Sequence, residues 1–145
     1  WYYSGADTGA VKATSLQARE IAGSFFPDCR KKTGMQESCI KIDPACKALR
    51  AELELLGLYT DKADNNGKDI KGNRKGIEVG IEYAQSSLAD GRFFCADNNR
   101  FWHEDFLREI GMYCVDAHGH PVDMYNHAMD EFRYAHNYFY KNYVL

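Results

Sequence analysis

Several classes of protein are removed by what this sequence lacks. No apolar run approaches the roughly 20 residues that a spanning helix needs, and the opening residues do not resemble a secretory signal peptide. There is no excess of basic charge: the formal balance is −3, so any affinity for nucleic acid has to come from a local cluster rather than from the whole surface. The five cysteines, Cys29, Cys39, Cys46, Cys95 and Cys114, are odd in number and contain no C-x-x-C pair. That argues against a disulfide framework and a zinc knuckle, and for reduced thiols in a cytoplasmic compartment. The glycine pattern of a phosphate-binding loop followed by Lys-Ser/Thr is missing, as is a G-x-S-x-G elbow, so neither an ATP site nor a serine-hydrolase nucleophile is visible. Internal repeats, low-complexity tracts and interdomain linkers are also absent.

What is present is a chain of 145 residues, 45% hydrophobic and 27% charged, the size and balance of one domain able to bury a core. It opens with "WYYSG", an aromatic run suited to a strand interior and without Met, which reads as a piece of something longer. Trp1 to Tyr3 predict a strand, followed by a loop through Ser4, Gly5, Asp7 and Gly9. Thr14 and Gln17 have the spacing of a capping box for a helix that carries Leu16, Ile21, Phe25 and Phe26 and stops at Pro27. "SCIKI", Ser38 to Ile42, reads as a buried strand. A helix then starts near Pro44, with Ala45, Leu49, Leu53 and Leu56 as its buried stripe and Gly57 at its end.

Residues Tyr59 to Asn73 are polar and rich in Gly and Asn, a loop or hairpin. Ile77, Ile81, Ala84 and Leu88 trace the next helix, "RFFCA" a short strand, and Trp102, Phe106 and Ile110 a helix that Gly111 closes. "MYCV" predicts one more strand, His118 to His120 a turn, and the last helix begins near Tyr125 with Ala128, Phe132, Ala135 and Phe139 as its apolar stripe. Strands alternating with helices predict an α/β fold, a sheet with helical cover.

Chemistry is suggested at three places. Asp43 ends a predicted buried strand just before a helix, where open α/β sheets put working residues; Asp-Pro in that position is equally an ordinary helix cap. In the last helix His127 and Asp130 are three residues apart, on one face, with Asp123 upstream. Such a set suits Mg²⁺ or Mn²⁺, and it also suits a plain surface hydrogen bond between His127 and Asp130. Finally, Lys62, Lys68, Lys71, Arg74 and Lys75 crowd one polar segment, diluted by Asp61, Asp64 and Asp69. That cluster is either a solvated loop or a phosphate-contacting surface.

Three segments, "IKIDPACKALRAELELLG", "GIEVGIEYAQSSLADGRFF" and "EIGMYCVDAHGHPVDMYNHAMDEFRY", resemble in order the nuclease domain of the large terminase subunit of tailed bacteriophages. "NHAMDEFRY" is the most specific of the matches, and "WYYSGADTGAVKATSLQAREI" resembles the part that precedes the Asp-Pro strand, so the likeness spans nearly the whole chain. It implies an RNase H-like mixed sheet flanked by helices, as a single domain over residues 1–145, and an endonuclease that cuts concatemeric double-stranded viral DNA during packaging.

By motif position the resemblance assigns Asp43, Asp130 and His127 to catalysis and metal binding, and Asp123, four residues before His127, is a candidate outer-shell orienter or third metal ligand. Two Mg²⁺ or Mn²⁺ ions are then expected, one activating a water and the other stabilising the leaving oxygen. Lys68, Lys71, Arg74 and Lys75 become candidates for contact with DNA. The family's first catalytic Asp, in an Asp-x-Gly context on the first strand, has no counterpart here, because Asp7 in "GADTGA" falls in a loop too close to the Asp43 strand. The chain is therefore expected to be N-terminally incomplete, to lack the ATPase domain, and to work as part of a full-length protein in the cytoplasm of a bacterial host. Portal protein, the small terminase subunit and further large-subunit copies are the partners implied, with no membrane association. Two rival readings are a noncatalytic module of the same fold that docks DNA or portal, and another RNase H-like nuclease such as a resolvase.

Overall fold

Residues 14–33 make one helical run in three parts: α1 (Thr14–Glu20), a π-helical stretch (Ile21–Phe25) and α2 (Phe26–Thr33). The structure, a computed structural model, describes residues 9, 11–68, 71, 75–94, 104–118, 120–122 and 126–144. The strand expected at Trp1 to Tyr3 and the loop residue Asp7 lie outside them. The capping box expected at Thr14 does not form. Ala13 takes the cap position and Thr14 is already helical, while Gln17 turns back to donate to the Lys12 carbonyl at 2.9 Å. Pro27 does not end the helix either; it sits at the start of α2, just where the ladder returns from five-residue to four-residue spacing. A residue with no N–H is tolerated at such a break in the ladder. The true stop is Gly34, whose φ of +70° suits glycine and whose N–H closes on the Arg30 carbonyl at 2.8 Å.

The chain divides into two units, Trp1–Ala63 and Asp64–Leu145. In the first, β1 (Lys41–Ile42) leads through α3 (Lys47–Leu55) to β2 (Asp61–Lys62), which pairs with it in parallel, Lys41 opposite Asp61 and Ile42 opposite Lys62. The predicted five-residue strand is cut to two ladder residues, Ser38 and Cys39 stand exposed, and among the described residues only β2 pairs with it. α3 begins three residues after Pro44, which lies in a turn, and of its expected stripe Leu53 is fully buried while Ala45 and Leu56 are exposed. Leu53 packs with Ala18 and Ile21, and Phe25, Phe26, Ile42, Leu49 and Leu58 close around them. Removing one such leucine from water is worth about 2 kcal/mol.

The second unit opens with a hairpin, β3 (Gly67–Lys68) antiparallel to β4 (Lys75–Gly76), inside the stretch read as loop or hairpin. Then come α4 (Ile77–Ala89), α5 (Glu104–Met112), a single bridge between Val115 and Pro121, α6 (His127–Phe139) and a π-helical end (Tyr140–Val144). The strand expected at "MYCV" is reduced to that bridge, and α5 runs through Gly111 instead of stopping there. No regular strand forms at Arg92 to Phe94; the rest of "RFFCA", like Trp102 and Tyr125, lies outside the described residues. Helix and short strand are therefore mixed, with helix dominant. Among the described residues no helix is long and apolar enough to cross a membrane.

Both long helices of this unit bury faces that overlap the expected ones only in part: Ala84 is buried as expected, and Ile81, Ala128 and Phe132 are half-buried. On α4 the buried residues are Val79, Gly80, Ala84 and Ser87, while Ile77 and Leu88 remain about two-fifths exposed. On α6 they are Met129, Arg133, His136 and Asn137, while Ala135 and Phe139 face outward. The reason is close packing at Gly80: a Cβ there would lie 2.7 Å from both Arg133 Cγ and Asn137 Oδ1. Only a glycine lets α4 come down on those two polar side chains.

Candidate functional site

The first turn of α6 carries the residues that the sequence singles out. Asn126 is the cap, His127 the first helical residue and Asp130 one turn on. The Asp130 N–H closes on the Asn126 carbonyl at 2.8 Å. His127 is exposed and Asp130 half-buried. Arg133, on the next turn and 4% exposed, donates from Nη2 to Asp130 Oδ1 at 2.8 Å and from Nη1 to the Asn65 carbonyl. Asn137, one further turn along, donates to the Asp64 carbonyl at 2.7 Å. The same face of α6 thus holds the carboxylate at one end and two successive backbone carbonyls at the other.

Glu109 of α5 is 1% exposed and accepts the Ala128 N–H at 2.6 Å, so a carboxylate from another helix caps the start of α6. Negative charge belongs at that end of a helix dipole. Burial, aided by the nearby Asp130 carboxylate and opposed by Arg133, pushes the Tyr113 phenol up. Tyr113, Ile110, Met129, Phe132 and Arg133 line part of a cavity of about 200 Å³ between α4, α5 and α6. Behind it Phe132 meets Phe93 and Phe106 edge-on at 4.6 and 5.1 Å. His136 donates from Nδ1 to the Phe132 carbonyl at 2.8 Å.

The other expected residues belong to other elements. Asp43 belongs to the first unit, where its Oδ1 accepts the Ala45 N–H at 2.7 Å and its carbonyl the Cys46 N–H at 3.0 Å. It shapes the turn before α3, and the helix itself starts from Cys46. Lys68 is on β3, Lys71 is exposed in the hairpin turn and Lys75 is on β4. Asp123 and Arg74 lie outside the described residues. His118 and His120 stand in a turn whose backbone N–H groups both donate to Asp116 Oδ1, at 2.8 and 2.9 Å.

Among the described residues no three His, Cys, Asp or Glu side chains gather to hold a metal ion. Asp130, the carboxylate beside His127, is already matched by a guanidinium. His127 and Asp130 by themselves, one imidazole and one guanidinium-paired carboxylate, are too few donors for a two-cation centre, and no hydrolytic step follows from them.

Sequence reasoning passed over Glu109, Arg133 and Asn137. A signal was there for the first, since Glu109 falls between Phe106 and Ile110 on the apolar side of α5. Arg133 and Asn137 carried none, because polar side chains on an amphipathic helix are ordinarily read as its wet face. Comparison with family models, with curated proteins and with solved structures finds no match for this chain.

Proposed function

We propose that this chain is part of the nuclease region of a tailed-phage large terminase subunit, an endonuclease of RNase H-like architecture. In the full-length protein it cuts concatemeric duplex DNA with Mg²⁺ or Mn²⁺ during packaging. The reading rests on one observation, the agreement of three segments, in order, with that family's pattern, "NHAMDEFRY" above all. Support comes from the place of that motif at the start of α6, with His127 in water and Asp130 one turn away. Portal protein, the small subunit and further copies of the large subunit are partners under the same reading. So is residence in the cytoplasm of the bacterial host.

A second reading, a noncatalytic module that docks DNA or portal, draws on the local commitments of the two acids. Asp130 is paired with Arg133, and Asp43 is bonded into its own turn. The test is metal-dependent cleavage of duplex DNA by the full-length protein and by its Asp43→Asn and Asp130→Asn variants. The nuclease reading expects both variants to fold and both to lose cleavage. Persistent cleavage with lowered stability would move Asp43 and Asp130 to structural roles.

The basic hairpin is tested separately, by neutralising Lys71, Arg74 and Lys75 and following duplex affinity across a salt series. Weaker binding with a flatter salt slope places phosphates on the hairpin. An unchanged slope removes it from the DNA surface.

A further inference from the structure

We infer that the cavity between α4, α5 and α6 is a binding site for a small uncharged aromatic molecule, one ring with a short substituent whose oxygen accepts a hydrogen bond from Arg133 Nε. The inference goes beyond the nuclease reading and does not depend on it.

The walls all belong to the second unit: Ala84 and Leu88 of α4, Ile110 of α5, Met129 and Phe132 of α6. They are apolar, and Met129 and Phe132 add a polarisable thioether and a ring, both good neighbours for a flat aromatic guest. The space is about 200 Å³. An apolar cavity of roughly 150 Å³ already holds benzene, so a single substituted ring fits this one. Gln85 is exposed and Leu88 about two-fifths exposed, so the mouth opens along the outer side of α4 and a guest can enter without unfolding the unit.

One charged side chain is built into these walls. Arg133 is 4% exposed, and most of its guanidinium is committed: Nη1 donates to the Asn65 carbonyl, Nη2 donates to Asp130 Oδ1 at 2.8 Å, and the group lies over the Tyr134 ring at 4.8 Å. Nε is different. It is buried and has no acceptor among the described residues. A buried donor left unpaired carries a desolvation cost, and an acceptor on a guest relieves it. The guest oxygen should be neutral, because Asp130 already balances the guanidinium. A second carboxylate would be stripped of water and set beside the first. Tyr113 lines the same cavity, and burial keeps its phenol from ionising, so it adds no negative charge against that oxygen.

The experiment is proton–nitrogen correlation NMR of this chain, following the backbone amides and the Arg133 Nε–H during titration with acetophenone, toluene and benzoate. Acetophenone is expected to shift the amides of Ala84, Ile110 and Met129 saturably and to move the Nε–H proton downfield, as a new hydrogen bond does. Toluene should shift the same amides and leave the Nε–H in place, and benzoate should bind at least about tenfold more weakly than acetophenone. Ala84→Leu fills the cavity and is expected to abolish the acetophenone shifts; if it does not fold, Leu88→Trp, which narrows the mouth, replaces it. Saturation by acetophenone with the Nε–H unmoved overturns the role given to Arg133. Benzoate binding as tightly as acetophenone overturns the choice of an uncharged guest. Shifts that never saturate, or that persist in the folded variant, overturn the site.

Discussion

In the unit spanning Trp1–Ala63 the buried centre is Ala18, Ile21 and Leu53. In Asp64–Leu145 the buried set contains Ser87, Glu109, Arg133, His136 and Asn137 beside Val79, Ala84 and Met129. The first centre is held by apolar contact, which is tolerant in geometry and proportional to area. The second depends on hydrogen bonds from side chains to backbone, where each group has one place to go and a displaced one is left unsatisfied. Charge in the first unit is kept at the surface, in pairs such as Lys12 with Glu20 and Lys41 with Asp61. A polar interior of this kind specifies one arrangement of helices and gives the second unit the groups from which a site or a coupling can be made.

Removing apolar area should hurt the first unit most. Leu53→Ala is expected to destabilise it by about 3 kcal/mol. Urea unfolding followed by segment-resolved hydrogen exchange checks this, and a loss below about 1 kcal/mol would mean that the Ala18–Ile21–Leu53 cluster does not carry that unit. The second unit is more exposed to a single added methyl. Gly80→Ala should cost about 2 kcal/mol, because the new Cβ runs into Arg133 and Asn137. Gly23→Ala, where a Cβ meets nothing within 4 Å, should be neutral or stabilising by about 0.5 kcal/mol. Equal effects at the two glycines, in the same unfolding assay, would dissolve the contrast.

Smaller still is the cap supplied by Glu109. Glu109→Ala leaves the Ala128 N–H without its acceptor and should cost about 1.5 kcal/mol, seen first as faster exchange at the start of α6. Glu109→Gln keeps an acceptor and should recover part of the loss. The smallest effect belongs to the surface charges of the first unit. Hydrogen bonding from Arg30 holds the Glu37 carboxyl at about 2, below its ordinary 4.5. A lowered acid pKa adds stability at pH above about 4.5, and that stability drains away as the pH falls from there to about 2. The gain is slight, since water and salt screen the pair. Thermal melts of Glu37→Gln against the unsubstituted chain should therefore differ a little at neutral pH and converge by about pH 2.

Much of the helical skeleton was legible because it rests on local rules. Leu49 and Leu53 at helical spacing, Gly57 after them, and the apolar run from Ile77 onward mark α3 and α4 within a few residues. Local rules also misled. Pro27 is a helix breaker in general, and here a π-helical turn before it absorbs the missing hydrogen bond. Thr14 and Gln17 have a capping spacing, yet Thr14 is drawn into the helix one residue too far to cap it. "SCIKI" has strand character, but a ladder needs a partner, and β2 supplies only two residues.

The sequence by itself determined where the chain can be helical, that a glycine ends a helix at Gly57, and that no long apolar run exists. Those properties depend on a residue and its near neighbours alone. Tertiary structure decided which face of α6 is buried, that Arg133 goes inside and takes Asp130 with it, that Glu109 reaches across nineteen residues to cap Ala128, and that Asn137 and Arg133 grip the chain entering β3. Hydrophobic periodicity treats an arginine and an asparagine as surface. The partners that make their burial possible, a carbonyl at Asn65, another at Asp64 and the bare backbone at Gly80, are brought to them only when the helices pack.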